Sequence, residues 1–210
     1  MCRLNRSQIE AATKRTPWHL SNEVLYSLCQ KHPRHSEVEA VVAKVLMIGR
    51  VYAAAIERRK SKGEENDNFY ISTVAPKIIN SPIDQWIEEA KRVDPATSEG
   101  RQVMLRVHAL TTTLFHAISG QEKRSLASKY LHFHVPELFF IYDTRAVKGI
   151  SAVSSVVGRA PRHSGSADHE YQKFAGKCSR LKQHCATDFG VHLSPRQIDN
   201  LLLLLYESGT

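Results

Sequence analysis

Apolar positions recur at three- and four-residue spacing along most of the chain, the period of a helix with one buried face. The clearest run is Ser36 to Lys62, where Val38, Val41, Val45, Ile48, Tyr52 and Ile56 form one stripe. Ser36 and Glu39 carry the spacing of a capping box, and Gly63 ends the pattern. Gly49 and the small run Ala53 to Ala55 mark a place for another helix to cross closely. Arg50, set among apolar neighbours, is expected to reach a buried carboxylate or to lay its stem along apolar surface. Helical patterns also cover Arg6 to Lys14, Glu23 to Lys31 behind an Asn22 cap, Pro82 to Arg92, Arg101 to Ile118 and Arg124 to His134. They continue over Thr144 to Val157, Asp168 to Thr187, and Pro195 to Glu207 behind a Ser194 cap. Phe69 to Ile79 is ambiguous: Phe69, Ile71 and Thr73 alternate as in a strand, while Pro76 argues against a central strand. The pattern predicts an all-α fold, a compact bundle of about eight or nine helices.

The 210 residues fit one domain, or two small lobes (about 1–95 and 96–210) sharing one core, with a cleft between them. Composition is that of an ordinary globular chain, with 42% hydrophobic and 24% charged residues. The net charge of +8 changes the picture more, because it favours a polyanionic partner: nucleic acid first, an acidic membrane surface second. No run approaches the roughly 18 apolar residues of a membrane span, and Met1 to Arg15 lacks the apolar centre of a secretory signal. The expectation is a cytoplasmic protein with reduced thiols and no membrane contact. Cys178 and Cys185, with His184 beside the second, fall short of a closed four-ligand metal site, so these two read as buried or idle thiols. No metal and no cofactor is expected. His108 and His116 read as core or rim residues.

Chemistry concentrates in Lys123 to Ala146, KRSLASKYLHFHVPELFFIYDTRA. The residue before a proline avoids helical geometry, so the helix from Arg124 should end near His134, ahead of Val135-Pro136. An apolar extended run, Leu138 to Tyr142, then leads to Asp143, a good N-cap for the next helix. A carboxylate presented there, partly shielded from water, has value as a base or an electrostatic stabiliser. Ser125 lies 18 residues upstream, a separation that could bring it to the same cleft. His132 and His134 face apart on a helix and do not chelate together easily. The basic loop Gly158 to Ser166 offers Arg159 and Arg162 to a phosphate backbone, or is simply a solvated loop.

This stretch resembles the part of the helix-hairpin-helix DNA glycosylase superfamily that runs from the hairpin into the catalytic aspartate. Phe140-Ile141-Tyr142-Asp143-Thr144 stands where that family has an apolar run ending in its aspartate, and Ser125 takes the place of the lyase lysine. The hairpin's Gly-x-Gly is Gln121-Glu122-Lys123 here, and Phe140 replaces the proline before the Ile-x-Asp run. The resemblance implies a monofunctional DNA N-glycosylase-like base-excision enzyme acting on DNA, duplex DNA foremost. Asp143 would be its catalytic carboxylate, and Ser125 in the lysine's place would mean no Schiff-base chemistry. It further implies that Tyr130, Phe133 and Tyr142 stack on a flipped base, while Arg124, Lys129, Arg145 and Lys148 hold the backbone. Ile48 to Arg59 and Ser125 to His134 also resemble a group of uncharacterised bacterial proteins, a likeness that implies no activity. Two other readings stay open: a non-enzymatic basic helical module binding nucleic acid, and a protein or small-ligand module in which the motif only builds the core.

Overall fold

The computed structural model describes residues 4–58, 65–158 and 168–208. In chain order the helices are α1 (Arg6–Thr13), α2 (His19–Lys31), α3 (Val38–Val51), α4 (Asn66–Phe69), α5 (Ala75–Ile79) and α6 (Ile83–Arg92). They continue as α7 (Ser98–Ser119), α8 (Arg124–His134), α9 (Thr144–Ala152), α10 (Ser154–Val157), α11 (His169–Phe189) and α12 (Pro195–Ser208). Among the described residues there is no strand, so the all-α expectation holds. None of these helices is long and apolar enough to cross a membrane. The chain divides into two compact units, Trp18–Leu138 and a second made of Met1–Pro17 with Phe139–Thr210.

In the Trp18–Leu138 unit, α8 packs against α2, α3 and α7. Every residue from Leu126 to Phe133 is buried, polar ones included. This is a helix enclosed on all sides, which sequence periodicity alone cannot signal. α7 begins as its residues dictate: the Thr97 hydroxyl accepts from the Gly100 amide at 3.0 Å. It ends at Gly120, which takes the left-handed φ of 67° that favours glycine at this position. Thr111 returns its hydroxyl to the Val107 carbonyl at 2.9 Å, the back-bonding that lets a threonine sit inside a helix.

Several local expectations are corrected. The long helix stops at Val51 rather than continuing to Lys62. The chain turns back on itself there, with Ala53 at φ 53° and the Ala54 amide donating to the Gly49 carbonyl at 2.7 Å. Gly49 is therefore small for its own chain: a Cβ on it would lie 3.1 Å from the Ala55 Cα. No capping box forms at Ser36, since α3 starts behind Glu37 without a side-chain cap. Asn22 caps nothing; it is buried inside α2 and accepts from the Tyr52 hydroxyl. Phe69 to Ile79 is helical, with a π-helical segment at Tyr70–Val74 just before Pro76. Proline has no N–H to give to the preceding turn, and widening that turn accommodates the loss. Arg50 does reach a carboxylate, Glu57, at 3.1 Å. Gly63 lies outside the described residues.

In the other unit, α12 packs on α9 and α1, and α11 on α9, α10 and α12. Ser194 and Gln197 form a reciprocal cap at the start of α12. Leu201, Leu202 and Leu205 fill the core between these helices. α9 and α12 touch backbone to backbone at Gly149, where a Cβ would fall 2.0 Å from the Leu202 carbonyl oxygen. Gly149→Ala is expected to force the two helices apart and to cost on the order of 2–3 kcal/mol in urea unfolding. A Ser151→Ala control on the exposed side of α9 should change little.

Candidate functional sites

Asp143 sits where its sequence places it, at the N-cap of α9, with Oδ1 accepting from the Ala146 amide at 2.9 Å. The side chain is half-buried, and Arg145 and Lys148 are exposed on the same helix. The Lys148 ammonium lies 5.7 Å from the Tyr206 ring centre, a cation–π arrangement. Tyr142 is half-buried against the Phe174 edge at 5.2 Å. The apolar run ahead of it is buried, and the Phe140 carbonyl accepts from the Tyr171 hydroxyl at 3.0 Å. Arg159 and Arg162 lie outside the described residues.

The remaining nominated residues belong to the Trp18–Leu138 unit, and most of them are interior. Tyr130 is 0% exposed and Phe133 2%, so neither presents a ring face to a base. Phe133 packs between Tyr26 at 4.8 Å and Tyr52 at 5.7 Å, and Tyr130 meets the Phe115 edge at 5.5 Å. Lys129 is 1% exposed. Its ammonium donates to the Ser125 hydroxyl at 3.0 Å and the Tyr52 carbonyl at 3.4 Å, which makes it an internal bracket instead of a phosphate contact. Ser125 is half-buried under that bond, and Arg124 pairs with Glu122 at 3.1 Å. Ser125 and Asp143 fall in different units.

Sequence reading missed a polar chain in this unit. The Asp84 carboxylate receives two bonds from His35, from its backbone amide at 3.1 Å and from its ring Nδ1 at 2.5 Å. The other ring nitrogen, Nε2, is 2.6 Å from the Tyr130 hydroxyl. Burial and the nearby Lys44 charge push the His35 pKa from 6.5 down to about 4, against the pull of Asp84. The ring is therefore neutral at pH 7, which fixes the donors: Nδ1–H points to Asp84, and Nε2 accepts from the tyrosine. Burial alone would raise the Asp84 pKa, but the bonds from His35 outweigh it and hold the carboxyl below its ordinary value. His134 packs on both rings, 4.7 Å from Tyr130 and 5.2 Å from His35. Its Nδ1 lies 2.8 Å from the Tyr130 carbonyl, while Nε2 is sealed with no partner among the described residues. Burial first, then His35 and Lys44, hold the His134 pKa well down. His132 faces away from His134, toward the Tyr26 hydroxyl at 2.6 Å.

Lys44 anchors the loop that carries His35. It is 0% exposed, and its ammonium donates to the carbonyls of His32 at 2.9 Å and Arg34 at 3.2 Å. Burial lowers its pKa to about 8, with Asp84 among the charges that hold it up. Lys123 follows the same pattern, donating to the carbonyls of Ala55 and Arg58. The thiols of Cys29, Cys178 and Cys185 are buried, and burial raises the pKa of each. Cys2 lies outside the described residues.

His35 makes stability pH-dependent in a defined window. Below about pH 6.5 the unfolded chain binds a proton on this ring that the folded chain refuses down to about pH 4. Stability is therefore complete above about pH 6.5 and falls as the pH drops toward about 4, by on the order of 3 kcal/mol for this ring. His134 adds to the loss in the same direction. Urea unfolding at several pH values in that window checks the slope, and His35→Gln should flatten it.

A family profile, HI_0787_N, described as an N-terminal domain, matches residues 5–138. No curated protein matches the chain, and no solved structure does. The match covers more than half of the sequence and ends at Leu138, where the Trp18–Leu138 unit also ends. The chain belongs to the HI_0787_N family.

Proposed function

We propose that this protein binds nucleic acid through the unit formed by residues 1–17 and 139–210, with the start of α9 at the centre of the contact. The observation that carries this reading is the partition of charge. That unit holds thirteen Lys and Arg against seven Asp and Glu, a net +6. The Trp18–Leu138 unit holds sixteen against fourteen, a net +2. A charge excess gathered in one part of a chain is the footprint of a polyanionic partner, because each neutralised phosphate releases condensed counterions. Arg145 and Lys148 are the contacts proposed on α9, and Arg159 and Arg162 extend the set from the sequence.

The base-excision reading, a monofunctional glycosylase-like enzyme, rests on one further observation: Asp143 is half-buried at the head of the helix that carries these cations. In that reading its carboxylate stabilises the developing sugar cation or activates water, and Tyr142 is the remaining stacking candidate. Tyr130, Phe133 and Lys129 drop out of the interface because they are interior.

Two measurements separate the readings. Duplex and single-stranded oligonucleotides should bind with steep salt dependence, and Arg145→Ala and Lys148→Ala should each lower the slope of log K against log salt by about 1. Binding that ignores salt and both substitutions would sink the proposal. Base release is read with oligonucleotides carrying uracil, alkylated, oxidised and mismatched bases, abasic sites being cut by alkali. Asp143→Asn keeps an N-cap of equal quality, so the fold should survive the loss of charge. Release by the parent alone establishes the enzyme; salt-sensitive binding without release by either protein leaves a binding module.

A further inference from the structure

A cavity of about 560 Å³ in the Trp18–Leu138 unit lies between the α2–α3 loop and α6. Its wall carries three carboxylates, Asp84, Glu88 and Glu89, and two guanidiniums, Arg34 and Arg92. Counted as bare charges the wall is acidic, but Lys91 and Arg106 neutralise Glu88 and Glu89, leaving the Asp84 charge, bonded to the neutral His35, against two guanidiniums. Asp84 is held by His35, Glu88 by Lys91 at 2.8 Å, and Glu89 by Arg106. Arg34 and Arg92 are exposed, and their guanidinium groups make no hydrogen bond or ion pair among the described residues. They act on Glu88 only at longer range, behind Lys91. The unpaired cations left in the cavity are thus two guanidinium forks, the group best matched to a phosphate.

The second feature is Asp84 itself. It is 40% exposed, yet its orientation is set from inside the protein, through His35 to the fully buried Tyr130 hydroxyl. Both oxygens already accept from His35, so their remaining lone pairs are fixed in direction. A carboxylate held this way is a preorganised acceptor for a donor on a ligand. No aromatic side chain lines the cavity, which disfavours a stacked base. The volume falls in the range of about 300–1,000 Å³ usual for small-molecule sites.

We propose that this cavity binds a small hydroxylated organic phosphate, with Arg34 and Arg92 clamping the phosphate and Asp84 accepting a hydrogen bond from a hydroxyl group. The proposal does not rest on the nucleic-acid reading. It is tested by calorimetric titration of the full chain with ribose 5-phosphate and glucose 6-phosphate, and with ribose and inorganic phosphate as separate halves. Both sugar phosphates are expected to bind more tightly than inorganic phosphate, with ribose alone giving no signal. The double variant Arg34→Met, Arg92→Met should weaken sugar-phosphate binding at least about tenfold at an unchanged melting temperature, because both side chains are exposed. Asp84→Asn should weaken the sugar phosphates toward the affinity of inorganic phosphate. If that variant fails to fold, the comparison of sugar phosphate with inorganic phosphate in the parent carries the same information. No binding of either sugar phosphate up to about 10 mM, or equal binding by the double variant, overturns the proposal. Displacement of a sugar phosphate by a DNA duplex that itself requires Arg34 and Arg92 would reassign the clamp to nucleic acid and overturn it as well.

Discussion

A lysine ammonium sealed from water must be surrounded by oxygen, and the Trp18–Leu138 unit is arranged around that requirement. An unpaired buried charge costs several kcal/mol, so Lys44 gathers the carbonyls of His32 and Arg34 around itself at the end of α2. Those carbonyls are orphans of the helix end and the turn after it, and the cation satisfies them in return. The turn so fixed delivers His35 to Asp84 and leaves Arg34 at the cavity wall. Lys123 and Lys129 repeat the device at the end of α3, holding the carbonyls of Ala55, Arg58 and Tyr52. Three buried cations therefore bracket the turns that surround α8.

The same arrangement explains why α8 carries so much reactive chemistry with so little exposure. Tyr130, His132 and His134 look like a site when read in line, but they turn to different inward partners: His35, Tyr26 and the Tyr130 carbonyl. Tyr130 alone of the three is hydrogen-bonded through His35 to Asp84, the end of that chain that reaches solvent. The neutral state of His35 is what keeps the order of donors unique.

The family match and the basic unit share one boundary, at Leu138, while the match also takes in residues 5–17 of the basic unit. The matched residues end at Leu138, and the strongly basic composition belongs to residues 1–17 and 139–210. The small-phosphate proposal for one unit and the nucleic-acid proposal for the other need separate experiments, since the groups concerned, Asp84 with Arg34 and Asp143 with Lys148, share no residue.

Local physics was legible in the sequence. The 3.6-residue period announced an all-α chain, and the caps read at Asp143 and Ser194 form, while those read at Asn22 and Ser36 do not. Thr111 and Gly120 likewise follow from their own chemistry. What the tertiary structure alone decided is how polar groups distant in sequence satisfy one another. His35 and Asp84 are 49 residues apart, and Lys129 and Tyr52 are 77 apart, so no spacing rule joins them. The truncation of α3 at Val51 depends on the close return of Ala54 over Gly49, and the inward turn of Tyr130, Phe133 and Lys129 depends on helices packing around α8 on every side. Periodicity reports which face of a helix is apolar; it cannot report that the polar face is buried too, because that outcome is set by partners elsewhere in the chain.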